Sequence, residues 1–319
     1  MAQNQGRRRC MQAVFSLPML AGWQVRSVWA QTPSAPGRLQ WVEGAASVVG
    51  ATGLREVAVT GGWVQEGQTV ETGTGATAHV LLADGALLVL RADSAFTLVA
   101  YGATAKLEDS ASLTLLRGAL RMVTGWLAKT SPRSVALRTR TTTVGIRGTD
   151  FEMVDDGSDT HVRVHSGEVL MGNAKNSVAL GAGEIGTLSG AGGGITRHAP
   201  DAAGAQQAFD ARRGLVGASD EVASQHARNI NQHMEASLRE SGMLRGDQSL
   251  AHFVESRKAA VDHMRARGAM PGKDEAVERM HDLRERAVGG MSEKSKPGES
   301  MSPGQRGGRA GGGGGGGRR

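Results

Sequence analysis

Residues 78–90 read Ala-His-Val-Leu-Leu-Ala-Asp-Gly-Ala-Leu-Leu-Val-Leu, two short apolar runs joined by Ala83-Asp84-Gly85. A tight turn needs positive φ, which glycine supplies without steric cost, so the stretch predicts a β-hairpin. Asp150–Val154 and Asp159–Val164 repeat the pattern around Asp155-Asp156-Gly157-Ser158. In the second of these strands, Val162 and Val164 face one way, and His161, Arg163 and His165 the other. Working outward, further strands are expected at Leu39–Val42, Ser47–Val49, Val57–Val59, Phe96–Val99, Leu113–Leu116, Ala119–Val123, Val135–Arg138, Thr142–Ile146, Glu168–Met171, Val178–Leu180 and Ile185–Leu188. Runs this short, bounded by turn formers, predict an all-β main domain built as a short-strand solenoid or sandwich rather than a parallel α/β sheet.

The flanks differ in kind. Residues 1–30 carry Arg7, Arg8 and Arg9, then a mostly apolar run from Cys10 to Trp23, then Val28-Trp29-Ala30, as an export signal does. Cleavage is expected after Ala30, with no stable membrane span afterwards, because fourteen residues of helix cover only about 21 Å of a hydrocarbon layer about 30 Å thick. Residues 31–37 are a polar leader and 38–190 the β domain. Residues 191–200 are a glycine-rich linker expected to be flexible, 201–288 an α-helical region, and 289–319 a disordered Gly, Ser and Arg tail. One helix is expected from a Ser219 cap to Gly242, a second over 248–267 and a third over 274–288. The helical faces are narrow and need something to dock on.

Composition removes several functions. Cys10 is the only cysteine and lies in the signal, so disulfides, a thiolate nucleophile and a cysteine zinc site are excluded for the mature chain. The net charge of +6 falls to +2 without the signal's four arginines, and to −2 without the last twenty residues. With one tyrosine and no basic excess in the folded part, nucleic-acid binding has little support.

Several segments together resemble the FecR domain, the sensing domain of iron-uptake regulators. They are Glu66–Gly73 with Ala78–Gly85, Leu113–Leu120, Val135–Thr139 with Thr143–Phe151, Thr160–Val169, and Gly181–Glu184. The run Arg147-Gly148-Thr149-Asp150-Phe151 is the most specific of these, while Arg140 departs from the proline common there. The resemblance implies a periplasmic or envelope domain with a sensing or regulatory role. It does not extend to the anti-sigma segment and membrane helix of the iron-uptake regulators, so no direct contact with a cytoplasmic sigma factor is expected.

Arg147, Gly148, Thr149, Asp150 and Phe151 admit two readings. One is a turn at the start of a strand, with Gly148 supplying the geometry and Thr149 bonding backbone. The other makes Arg147 a partner-facing charge. His161 and His165 share a face but lack a third ligand at a telling spacing, and His226 and His233 read as an exposed polar helix face. Asp155 and Asp156 read as solvated turn carboxylates. No catalytic residue, metal or cofactor is expected. The sequence therefore predicts a non-catalytic envelope module that binds a protein or glycan. A structural envelope protein associated with cell-wall or polysaccharide assembly is the alternative, and an enzyme of unrecognised type the third reading.

Overall fold

The computed structural model describes residues 36–103, 109–130, 134–190, 192–214 and 218–267. The expected signal and its cleavage point, most of the leader, the expected helix at 274–288 and the tail lie outside the described residues.

The main body is β-sheet, and helices follow it. Its first strands are β1 (Gly37–Glu43), β2 (Ala46–Val49), β3 (Arg55–Val57), β4 (Trp63–Val64), β5 (Thr69–Thr72), β6 (Thr77–Leu82), β7 (Leu87–Leu90), β8 (Ala95–Tyr101) and β9 (Ala111–Val123). After the short helix α1 (Trp126–Thr130) come β10 (Val135–Arg138), β11 (Thr143–Ile146), β12 (Asp150–Asp155) and β13 (Asp159–Ser166). The last strands are β14 (Glu168–Gly172), β15 (Ser177–Gly181), β16 (Ile185–Ser189) and β17 (Ile195–His198). Helices α2 (Ala203–Arg213), α3 (Ala218–Arg228), α4 (Ile230–Glu240) and α5 (Leu250–Ala266) complete the described chain.

Strand pairing resolves two layers. The first runs β4-β1-β6-β7-β9-β12-β13-β16-β17. The second runs β3-β2-β5-β8-β9-β10-β11-β14-β15. Among the described residues only the β9–β10 pair is parallel. Strand β9 belongs to both layers: Ala111–Arg117 pairs in the second and Gly118–Val123 in the first. The sequence reading expects two strands here, and the structure corrects this to one long strand bent at Gly118. That residue has φ +88°, and a Cβ there would lie 2.3 Å from Ser94 Oγ. From β6 onward the chain crosses between layers hairpin by hairpin, and both expected turns form. Gly85 and Gly157 take φ of +80° and +94°. Asp156 Oδ1 accepts the N–H groups of Ser158 and Asp159 at 3.0 and 2.8 Å.

Alternation directs one face of each layer inward. Leu113, Leu137, Val144, Met171 and Leu180 of the second layer join Val80, Leu88, Met122, Phe151 and Val162 of the first in one buried cluster. The layers meet closely enough that a Cβ on Gly186 would come within 2.6 Å of Leu180 Cδ1 and 2.7 Å of Met171 Sδ. Interdigitation of this kind is how stacked sheets exclude water.

Two expectations about the flanks are corrected. Within the predicted flexible linker, Ile195–His198 pairs with β16, and Asn173 Nδ2 donates to Gly193 O at 2.9 Å. The open edge of β16 supplies hydrogen-bond partners that glycine content alone does not reveal. The single helix expected from Ser219 to Gly242 breaks at Asn229 into α3 and α4. The break lets the chain pass around the Ala83–Ala86 turn. His226 Nε2–H donates to Gly85 O at 2.9 Å, and the Ser237 hydroxyl donates to Ala83 O. His226 is thus buried rather than part of an exposed face, and its ring stacks on His233 at 4.0 Å. Among the described residues no helix is long and apolar enough to cross a membrane.

Candidate functional site

The outward face of the first layer carries the polar residues that the alternation sets opposite the core. Register aligns Arg121 of β9, Glu152 of β12 and Arg163 of β13 directly across neighbouring strands. Glu152 is almost fully buried. Its Oε1 accepts from Arg91 Nη2 at 2.9 Å, and its Oε2 accepts from Arg163 Nη2 at 2.5 Å and faces His165 Nε2 at 3.2 Å. Arg121 grips Asp150 with two hydrogen bonds of 2.9 and 2.7 Å. Burial alone raises a carboxyl pKa. The hydrogen bond from His165 and the charge and hydrogen bond of Arg163 outweigh that, and hold Glu152 well below the ordinary carboxylate range.

Helices α2 and α3 close over this face. Phe209 of α2 is buried against Ala119, Val154 and Ile185, with the Arg163 guanidinium 4.5 Å from its ring centroid. Ala223 of α3 is buried against Leu87 and Val89. Each helix also contributes charge. Arg213 reaches Glu152 at 3.2 Å, Asp210 accepts from Arg163 at 2.8 Å, and Asp220 pairs with Arg91. The face the strand pattern marks as polar is therefore a sealed ion-pair network between sheet and helices. Its members are scattered along the sequence from Arg91 to Asp220, so no single stretch reveals it. Alternation within β12 and β13 was the one signal pointing to it.

Arg147, Gly148, Thr149, Asp150 and Phe151 fall at the junction of the two layers. Gly148 has φ +66°, Thr149 N–H donates to Thr124 Oγ1 at 2.7 Å, and Thr124 N–H returns a bond to Thr149 O at 2.9 Å. Asp150 anchors Arg121, and Phe151 is in the core. Four of the five thus have structural work. Arg147 alone is exposed, at the rim of a cleft of about 590 Å³ between α5 and the β11–β14 surface. Lys129 and Lys258 also line the cleft. A Cβ on Gly148 would lie 3.1 Å from Lys129 Cγ, so the glycine lets the lysine stem pass over the turn.

The histidine pair His161 and His165 does not converge. His161 Nδ1 is 3.1 Å from Thr187 Oγ1, whereas His165 faces Glu152. Asp155, expected as a solvated carboxylate, is buried and accepts from Thr160 Oγ1 at 3.1 Å. Among the described residues no three His, Cys, Asp or Glu side chains cluster to hold a metal ion.

A different character marks the β1–β4 end. Trp41, Leu54, Val57, Val59 and Trp63 are each more than half exposed. Arg38 lies over the Trp63 ring at 5.4 Å. Among the described residues β3 pairs only with β2, and β4 only with β1.

Residues 68–170 match the family described as FecR protein. Two crystal structures of a candidate anti-sigma factor from Parabacteroides distasonis are similar. One is 18% identical, covers 44% of this chain and 64% of its own, and has a TM-score of 0.36. The other is 20% identical, covers 42% and 60%, and has a TM-score of 0.35. The chain thus spans about three-fifths of the length of those structures. A structure described as a cell surface anchoring domain is 28% identical over 19% of this chain and 80% of its own, with a TM-score of 0.19. No curated protein matches the sequence.

Proposed function

We propose that this chain, a FecR-domain protein by its residues 68–170, is a non-catalytic regulatory module that senses or relays a signal by binding a partner protein in the cell envelope. The family match supports the regulatory and signal-sensing part of this reading. The basic and then apolar run before Ala30 supports export to the periplasm, with cleavage after that residue.

The observation that carries the binding part is that the helices leave the β1–β4 end, where both layers finish, uncovered. Helices α2 and α3 pack over β7, β9 and β12. At the β1–β4 end, five large apolar side chains stay in solvent beside two open strand edges. Every residue of β3 is exposed. An open edge flanked by apolar side chains is a template for strand addition: main-chain hydrogen bonds supply affinity, and alternate side chains supply selectivity.

The test is retention of envelope proteins by the immobilised full chain, compared with Val57→Asp and Trp63→Ala. A discrete protein held by the wild type, lost with Val57→Asp and weakened with Trp63→Ala, is the expected result. Equal retention by all three would remove the β3 edge as the binding surface. Polysaccharide retained in place of protein, and lost only with the tryptophan variant, would replace the protein partner with a glycan stacked on the indole rings. Fractionation that leaves the native protein in the cytosol would contradict the location.

A further inference from the structure

The cleft beside Arg147 lies on a different part of the molecule from the β1–β4 end. Its floor is aliphatic, made by Ile146 and Leu170 from the second layer and by Val254 and Val261 from α5. Three cationic side chains reach it from three separate elements: Lys129 from α1, Arg147 from the loop between β11 and β12, and Lys258 from α5. Glu168 and Asp262 also line it, so the positive charges outnumber the negative by one.

These cations are weakly engaged by the protein itself. Lys129 Nζ reaches Asn231 Oδ1 at 3.3 Å, a long hydrogen bond to a neutral group. Lys258 pairs at 2.9 Å with Glu255, a solvent-exposed partner one turn away, and such surface pairs contribute little. Arg147 has no hydrogen bond or ion pair to the described residues. Burial, and next to it the charge of Lys258, lower the Lys129 pKa, so the two ammonium groups feel each other. An anion between them would relieve that repulsion.

We propose that this cleft is a binding site for a small amphiphilic anion, an aliphatic chain ending in a carboxylate. The chain would lie on Leu170, Val254 and Val261, with the carboxylate at Lys129, Arg147 and Lys258. A volume of about 590 Å³ lies in the range of small-molecule sites, and the mix of four aliphatic and five charged lining residues suits a ligand with an apolar chain and a charged end. None of the lining residues is aromatic, so a sugar ring has no stacking platform there. The inference does not depend on a partner at the β3 edge.

Calorimetric titration of the full chain with decanoate tests it. The expected result is saturable binding at one site, with decanol at least about tenfold weaker, the size of a lost charge-assisted hydrogen bond. Arg147→Gln and Lys258→Met should each weaken decanoate by a similar factor. Leu170→Glu, which places a carboxylate on the floor at a half-exposed position, should abolish binding while the far-ultraviolet dichroism stays that of the wild type. Three results would overturn the proposal: no saturable binding of decanoate, affinity indifferent to these substitutions, or an acidic aliphatic peptide that binds as tightly as decanoate.

Discussion

Glu152 shows how much one residue can be asked to hold. Its carboxylate is nearly solvent-free and meets Arg91, Arg163, Arg213 and His165. Removing one partner from a buried charge cluster leaves the others uncompensated. Glu152→Gln, similar in size but neutral, is expected to destabilise the protein by about 3–5 kcal/mol in urea denaturation. A loss under about 1 kcal/mol would mean that the cluster is solvated. His226 gives a second residue-scale prediction. Burial lowers its pKa to about 4, with the charge of His233 acting in the same direction. The folded protein then refuses a proton that the unfolded chain accepts below about pH 6.5, so this contribution to stability is present at neutral pH and lost as the pH falls from about 6.5 to 4. Compared with His226→Gln, the wild type should lose roughly 1–3 kcal/mol over that interval. Asp84, buried and shifted upward, acts in the opposite sense, so the difference between the two proteins rather than either curve alone is the readout. At this scale the sequence was a fair guide to Gly148 and Phe151, because a turn glycine and an alternating apolar residue have local causes, but not to Thr149, which bonds Thr124 through its backbone while its own hydroxyl has no hydrogen-bond partner among the described residues. It was no guide to Glu152, whose role depends on charges brought together from distant strands and helices.

Among the elements, β9 and α2 carry most of the architecture. β9 stitches the two layers together, and its bend at Gly118 needs both a positive φ and the absence of a Cβ beside Ser94. Gly118→Ala is therefore expected to cost about 1–3 kcal/mol from backbone strain alone, with the Ser94 clash added. A melting temperature equal to the wild type would show that the bend is not needed. Helix α2 is held by Phe209 on a small apolar patch and by Arg213 and Asp210 on the charges beside it. Phe209→Ala should cost about 3–5 kcal/mol and open trypsin cleavage at Arg212 and Arg213 before the sheet is attacked. Strand positions were readable along the chain because period-two alternation and Asp-Gly turns are local signals. The continuity of β9 was not, since Gly118 reads equally well as a break. β17 was hidden for a related reason: its stability comes from the edge of β16 rather than from its own composition. The two-helix break at Asn229 answers to the Ala83–Ala86 turn, some 140 residues earlier, as the 141-residue separation of the His226–Gly85 hydrogen bond shows.

For the molecule as a whole, the helices change what the sheet offers to solvent. The strands alone would present a charged outer face on the first layer, and α2 and α3 seal it with complementary charge and the buried side chains of Phe209 and Ala223, leaving open the β1–β4 end, where the two layers finish at β4 and β3. The narrow helical faces expected from the sequence need something to dock on, and α2 and α3 find it on the β domain. Hydrogen–deuterium exchange of the full chain tests this division most directly. The account predicts slow exchange in Ala203–Arg213 and Ala218–Arg228, comparable to β12 and β13, alongside fast exchange at Arg55–Val57. Helices that exchange as quickly as an undocked peptide while the strands remain protected would contradict it.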